Sequence, residues 1–212
     1  MASSTPYPAA NGSPTASTTT DHPGTSSSTP PGSDAVTWLP AVEHPELLAP
    51  RTYEAVVAWA QRLPVVADLV RVTEIDPAVS DTAAMSDTYG IPMHMSVNCV
   101  LVAGRREGLE RAAAVAVRAS TRADINGAIK RMLAVRKASF VPVDRAVQDS
   151  GMEYGGITPV GLDWQVLLDA EVGSDAEWVV IGSGVRRSKL SLPGTLLAQL
   201  PGVHVEPNLS LG

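Results

Sequence analysis

The chain has 212 residues, hydrophobic residues make up 44% of it, and its net charge is −6. This length suits a single domain. No apolar run reaches the roughly 18 residues that a membrane-spanning helix needs, so no membrane partner is expected. A single cysteine, Cys99, rules out an intrachain disulfide and fits a reducing compartment, so the expected location is the cytoplasm.

Residues 1–34 are mostly Ser, Thr, Pro, Gly, Ala and Asn, and they contain no Lys, Arg, Leu, Ile, Val or Phe. Such a segment cannot bury enough apolar surface to offset the entropy lost on ordering, so it is predicted to be a disordered tail. It also lacks the basic and apolar regions of a secretory signal. Residues 35–212 are predicted to form one domain.

The charge is unevenly distributed along the chain. Residues 105–189 hold 13 of the 16 Lys and Arg residues against 11 acidic residues, whereas residues 1–104 hold 3 basic and 10 acidic residues. A surface this weakly basic excludes extensive binding along a nucleic-acid duplex. It is compatible with contact to a few phosphates.

Helical and strand patterns alternate along the chain, which predicts the α/β class with a mixed sheet. Predicted helices cover residues 52–62, 81–89, 124–135, 143–150 and 193–200, and Gly90 and Gly151 are expected stops. Predicted strands cover residues 69–75, 93–103, 112–119, 164–168, 178–181, 189–192 and 203–205.

The predicted strand at 93–103 has two unlike faces, because successive side chains of a strand point to opposite sides. One face carries Met95, Val97, Cys99 and Leu101, and the other carries His94, Ser96 and Asn98. The apolar face, with Cys99, is expected in the core. The polar face is expected to line a cleft or to be the solvated side of an ordinary antiparallel sheet.

Residues 150–161 contain four glycines and one proline, a composition that excludes an ordinary helix or strand. Glycine-rich backbone can approach a ligand closely and turn its N–H groups toward it. A wide connecting loop explains the same composition.

Three segments together resemble the YbaK family, the editing domains associated with prolyl-tRNA synthetase. They are Lys137-Ala138-Ser139-Phe140, then Gly151-Met152-Glu153-Tyr154-Gly155-Gly156-Ile157-Thr158-Pro159-Val160-Gly161, and Gly182-Ser183-Gly184-Val185-Arg186. The resemblance extends over about residues 81–200, and the Gly-x-x-x-Pro element at 155–159 is its hallmark. It implies a strongly curved, barrel-like mixed sheet flanked by helices, and hydrolysis of wrongly charged aminoacyl-tRNA in trans.

The resemblance, together with the polar face of the predicted strand at 93–103, indicates the candidate site. The catalytic candidates are Asn98, Gly155, Gly156, Thr158 and Pro159, and the substrate-binding candidates are His94, Ser96, Ile157, Gly161, Ser183, Gly184 and Arg186. In most relatives a lysine occupies the position of Asn98, and an amide cannot supply the charge of an ammonium. Either a neighbouring cation replaces that lysine, or Asn98 suffices for a different substrate, or the domain binds without hydrolysing.

Ester hydrolysis needs a cavity, donors for the oxyanion and a way to activate water. A hydroxyl of the terminal ribose can help to orient the water, and His94 is the candidate protein base, although a structural role explains it as well. The Gly182-Ser183-Gly184 segment is predicted to be a tight turn at the end of a strand, and the alternative is that it also lines the substrate pocket. Arg186 is a candidate for contact with a phosphate or for a solvated ion pair.

The leading hypothesis is therefore a deacylase that removes a small amino acid, such as Ala or Cys, from proline tRNA. The alternatives are a catalytically silent module that binds aminoacyl-tRNA or a nucleotide, and a hydrolase of another small acyl ester. The expected partners are the acceptor end of aminoacyl-tRNA and an aminoacyl-tRNA synthetase. The sequence has no cluster typical of a metal site and no dinucleotide or P-loop motif, so no cofactor and no metal are expected.

Overall fold

The computed structural model describes residues 29–212. Residues 1–28 of the predicted tail lie outside the described residues. Residues 29–34 form a turn against the domain, in which the indole N–H of Trp38 donates to the Pro31 carbonyl at 2.9 Å. Residues 29–34, which the sequence assigned to the tail, therefore contact the domain through Trp38.

Helices and strands alternate as predicted for an α/β domain. The helices are α1 (Pro50–Arg62), α2 (Val65–Leu69), α3 (Thr82–Tyr89), α4 (Lys130–Met132), α5 (Val143–Ser150), α6 (Ala170–Gly173) and α7 (Gly194–Leu197). The strands are β1 (Leu39–Pro40), β2 (Arg71–Glu74), β3 (Val97–Arg106), β4 (Leu109–Arg118), β5 (Arg122–Ala123), β6 (Ala138–Phe140), β7 (Val166–Asp169), β8 (Trp178–Gly182), β9 (Ser188–Pro193), β10 (Val203–Glu206) and β11 (Ser210–Leu211).

The strands form two main sheets, which confirms the mixed character of the fold. An antiparallel sheet has the order β1-β2-β9-β8, and a mixed sheet has the order β10-β7-β4-β3-β6; β11 and β5 form a small third sheet. Ser96 and Val180 join the two main sheets through an isolated parallel bridge. Across residues 29–212 the sheets remain separate, so the expected barrel-like curvature does not produce a closed barrel.

Both main sheets are covered on their faces by apolar side chains. Residues 113–117 of β4 are fully or almost fully buried, with clusters around Ile129 on one side and around Val141 on the other. Trp59 and Val56 of α1 pack against the antiparallel sheet. The cleft described below opens where the two sheets meet.

Two predicted elements differ from the structure. The predicted strand 93–103 begins only at Val97, since Met93–Met95 form a 3-10 turn after Pro92, whose ring fixes φ and lacks the N–H needed by a ladder. His94 therefore does not share a strand face with Asn98. The predicted helix 124–135 is a π turn, Ile125–Ile129, followed by the short α4, because Asp124 caps Gly127 and Ala128 and sets a wider first turn.

Smaller differences concern boundaries. The predicted helix 193–200 is confined to Gly194–Leu197, and the predicted strand 164–168 lies at Val166–Asp169. The helix at 143–150 and its stop at Gly151, which has φ +66°, are confirmed.

Candidate functional site

A cleft of about 320 Å³ lies where the two sheets meet. The start of α3, the first residues of β3, the 154–157 segment and the ends of β8 and β9 contribute its walls. Its polar lining residues are Ser80, Asp81, Thr82, Ser96, Asn98, Tyr154, Arg186 and Lys189, and its apolar lining includes Met85, Val97 and Val180. The mixture of an apolar floor and a few polar groups is typical of a small-molecule site.

The glycine loop reaches the cleft through close contact with the turn after β8. Glu153 N–H donates to the Gly184 carbonyl at 2.9 Å, and Gly184 N–H donates to the Gly156 carbonyl at 2.7 Å. A Cβ on Gly156 would lie 2.6 Å from the Val185 carbonyl oxygen, and a Cβ on Gly182 would lie 2.3 Å from the Gly156 oxygen. These two glycines are therefore required by the close approach of two backbones.

Much of the loop's main chain is already engaged within the protein. The Gly156 N–H donates to the Glu153 carbonyl at 2.9 Å, and the Thr158 N–H contacts the Met152 sulfur at 3.5 Å. The Gly155 carbonyl accepts from the Lys189 ammonium at 3.2 Å. These bonds fix the loop, and they leave Gly155 and Ile157 as its motif residues that line the cleft.

The structure brings together some of the predicted site residues. Those lining the cleft are Asn98, Gly155, Ser96, Ile157 and Arg186. Gly156, Thr158, Ser183 and Gly184 are buried behind it, Pro159 and Gly161 line a separate cavity of about 450 Å³ beside α1, and His94 is exposed on the 3-10 turn. Gly184 approaches Ala49, and Ser183 Oγ donates to the Ser188 carbonyl at 2.9 Å, so both support the turn.

Asn98 is held in place from α3. Its amide oxygen accepts a hydrogen bond from the Thr82 hydroxyl at 3.1 Å. The amide nitrogen retains its two N–H donors, which can bind an acceptor in the cleft. Asp81 precedes Thr82 and caps α3 by accepting from the Ala83 N–H at 3.0 Å, so its carboxylate is partly occupied by the helix terminus.

Arg186 connects three parts of the cleft wall. Its guanidinium donates to the carbonyls of Tyr154 at 3.2 Å and Pro77 at 3.1 Å, and its main-chain N–H donates to the Glu153 carboxylate at 2.7 Å. A guanidinium has five N–H groups, so these contacts leave donors for an anion such as phosphate.

The buried cation of the cleft, Lys189, is the residue that sequence reasoning missed. It lies on β9, is 7% exposed, and its ammonium donates to the carbonyls of Ser80 at 3.0 Å and Gly155 at 3.2 Å. The pKa of Lys189 is lowered to about 8, mainly by desolvation and also by the nearby Arg186, while Asp81 opposes the shift. Its place three residues after Arg186, within a run of Ser and Leu, is the signal that could have found it.

Cys99 also borders the cleft and is partly buried. Burial raises the pKa of its thiol to about 12. Because only the thiolate is a strong nucleophile, Cys99 acts as a small apolar residue rather than as a nucleophile. The sequence placed Cys99 in the core, whereas the structure places it in the wall of the cleft.

Within residues 29–212, no group of three or more His, Cys, Asp or Glu side chains is placed to hold a metal ion. The same residues include no helix with the length and hydropathy required to cross a bilayer.

Comparison with solved structures supports the fold. A protein described as a proposed trans-editing enzyme for prolyl tRNA synthetase matches with a TM-score of 0.60 and 20% identity, covering 78% of this chain and 99% of that one. A hypothetical protein matches with a TM-score of 0.63 and 19% identity, covering 74% and 99%. A scaffold from epitope backbone grafting by computational design has the same TM-score and identity, covering 77% and 97%.

Comparison with curated proteins gave no match. The family model of the aminoacyl-tRNA editing domain matches residues 76–200, which is more than half of the chain and includes both walls of the cleft. The chain therefore belongs to the aminoacyl-tRNA editing domain family.

Proposed function

We propose that this protein is a trans-editing deacylase that hydrolyses the ester of a mischarged tRNA carrying a small amino acid, such as Ala or Cys on proline tRNA. The observation that carries the proposal is the meeting of Asn98, Gly155 and Arg186 in one cleft, within the region matched by the editing-domain model. Membership of the family supplies the substrate class, and the cleft supplies a place for it.

The size and charge of the cleft support an aminoacylated ribose as ligand. A volume of about 320 Å³ is at the small end of ligand sites and leaves little room for a large side chain. Arg186 has donors available for a phosphate of the acceptor end. The amide of Asn98, fixed by Thr82, can bind the ester or the ribose.

Water activation does not require a strong protein base in this proposal. His94 lies outside the cleft, and the Asp81 carboxylate caps α3. The free hydroxyl of the terminal ribose lies beside the ester in any aminoacyl-tRNA, and it can orient the attacking water. The expected partners are the tRNA acceptor end and, through it, an aminoacyl-tRNA synthetase.

The test is deacylation of a panel of mischarged tRNAs by the wild-type protein and two glycine variants. Gly155→Ala places a Cβ 3.1 Å from Arg186 Nη1 at φ +85°, whereas Gly108→Ala has a similar φ of +80° with no atom within 4 Å. We expect Gly155→Ala to lower kcat/KM about tenfold, because the catalytic geometry shifts, and Gly108→Ala to match wild type. If the wild-type protein hydrolyses none of the mischarged tRNAs in the panel, the proposal is wrong.

Two other outcomes identify the alternatives. Tight binding of aminoacyl-tRNA without turnover, with turnover gained in Asn98→Lys, would identify a binding module that lacks a charge at position 98. Hydrolysis confined to small acyl esters without tRNA would identify a different hydrolase.

A further inference from the structure

Lys189 has bonding capacity that its protein partners do not use. An ammonium has three N–H groups, and in residues 29–212 the carbonyls of Ser80 and Gly155 accept two of them. The side chain is 7% exposed and lines the cleft. A buried ammonium is costly unless each N–H finds an acceptor, so the third donor points to an acceptor on a ligand.

Ser96 provides a second, independent observation. It is 2% exposed and lines the same cleft, and among the described residues its hydroxyl has no hydrogen-bond partner. Buried polar groups in native proteins are almost always bonded. Lys189 lies on β9 and Ser96 immediately precedes β3, and both line the cleft.

We propose that Lys189 is a catalytic residue of this site, whose third N–H binds the carbonyl oxygen of the scissile ester, with the Ser96 hydroxyl as the second donor. The proposal rests on the proposed deacylase function. It also accounts for the charge of the cleft, since position 98 is a neutral amide and, among residues 29–212, a buried cation is supplied to the cleft from β9 instead.

The chemical step is a simple hydrolysis. A water oxygen forms a bond to the ester carbon, and the π electrons of the carbonyl move onto its oxygen, next to the ammonium. When the carbonyl re-forms, the bond from carbon to the ribose oxygen breaks. One proton of the water ends on the ribose hydroxyl, and the other is released as the amino acid becomes a carboxylate. The positive charge of Lys189 favours the intermediate over the neutral ester.

The charged form of Lys189 is therefore required. The charged and titratable groups around it are Asp81 at the start of α3, Arg186 after β8, Tyr154 in the loop and Cys99 on β3. The pKa of Lys189, lowered to about 8 mainly by desolvation, leaves the amine protonated below pH 8 and neutral above it. The catalysed rate should consequently stop rising, and then fall, as the pH passes through about 8.

The experiment measures kcat and KM for one hydrolysed aminoacyl-tRNA between pH 6 and pH 9.5, after subtraction of the uncatalysed rate. For Lys189→Met we expect kcat to fall about 100-fold, the size of the loss of one oxyanion donor, with KM changed little and the fall near pH 8 abolished. Lys189→Gln retains N–H donors for Ser80 and Gly155 but has no charge, and we expect the same loss. Ser96→Ala should lower kcat about tenfold.

Arg187→Met is the matched control, because Arg187 is a cation two residues away that lies outside the cleft and bonds to the Glu46 carbonyl. It should retain the wild-type rate and pH profile. Full activity in Lys189→Gln would show that the residue only ties the loop, and a change confined to KM would show that it binds phosphate. Either result, or a wild-type profile that rises smoothly through pH 8, overturns the proposal.

These failures are separable from failure of the deacylase proposal. If the wild type hydrolyses no mischarged tRNA, both proposals are wrong. If the wild type is active and Lys189→Met stays within about threefold of it, only the assignment of Lys189 is wrong.

Discussion

Two glycine turns in this molecule have nearly the same backbone conformation and opposite surroundings. Gly155 at the cleft has φ +85°, and Gly108 at the tip of the β3–β4 hairpin has φ +80°. A Cβ on Gly155 would lie 3.1 Å from Arg186 Nη1, whereas a Cβ on Gly108 would meet nothing within 4 Å. The hairpin needs glycine only for the twist of its backbone, while the loop needs it also for contact with the groups around the site.

The loop is held by contacts that the hairpin lacks. Lys189 and Arg186 donate to its carbonyls, and the turn after β8 lies against Gly156. The hairpin has Leu109 beside it, which is 68% exposed. A positive φ alone therefore does not identify a functional glycine. The atoms that lie where its Cβ would be are the better indicator.

The largest expected effect is a loss of stability when a side chain is added in the tightly packed loop rather than in the hairpin. Gly156→Ala puts a Cβ 2.6 Å from the main chain of Val185, and neither backbone can move without disturbing the hydrogen bond from the Gly184 N–H to the Gly156 carbonyl. We expect the free energy of unfolding to fall by about 3 kcal/mol in urea denaturation, at the upper end of overpacking costs. Gly108→Ala serves as the control, and a loss in Gly156→Ala no greater than in that control would contradict the close approach.

The second effect uses the buried cation under the loop. Below pH 8 the folded state keeps the Lys189 ammonium charged and away from water, which costs free energy. Between about pH 8 and the usual pKa of 10.5, the folded state binds fewer protons than the unfolded state, so this cost is relieved as the pH rises. The free energy of unfolding of the wild type should therefore rise relative to Lys189→Met by about 2 kcal/mol between pH 8 and pH 10.

Urea denaturation at several pH values measures this difference. Lys137→Met, which removes an exposed ammonium, is the control and should follow the wild type. Parallel curves for the wild type and Lys189→Met would show that the amine is not buried in the charged form.

The smallest effect compares the two glycines directly. Because both have a positive φ, Gly155→Ala and Gly108→Ala should each lower the free energy of unfolding by about 1 kcal/mol. The additional neighbour at Gly155 is the end of a flexible arginine, which can move at little cost. If the two variants lose equal stability but only Gly155→Ala deacylates more slowly, Gly155 matters for the site. If Gly155→Ala loses several-fold more stability than Gly108→Ala, Gly155 matters mainly for the stability of the fold.

Local patterns predicted most of the fold. The helix at 143–150 has an amphipathic pattern ended by Gly151, and the β3–β4 hairpin has a Gly at its turn, so periodicity and turn chemistry agreed in both. The strand prediction failed at His94, where Pro92 interrupts a sequence that otherwise alternates. The prediction of a regular α-helix failed at Ile125–Ile129, where hydrogen bonds to the Asp124 carboxylate set the geometry of the turn.

The site was predictable only where the motif itself reaches the cleft. Asn98, Gly155 and Arg186 were found by their place in the motif and its neighbouring strand. Lys189 was missed because alternation along β9 assigns a lysine to a solvated face, and only the packing of α3 and the loop over that strand buries it. Burial of a charged residue depends on distant segments, and no local pattern reports it.

Under the proposed function, the bridge between Ser96 and Val180 has a consequence for which amino acid would be accepted. In residues 29–212 it is an isolated β-bridge, and it links the two main sheets, which are otherwise separate. Met85 and Val180, which line the cleft, pack with the buried Ile91 in one apolar cluster. Under the proposed function, a change at Ile91, which does not line the cleft, would alter selectivity for side-chain size through the packing of the cleft wall, with the lining residues left unchanged.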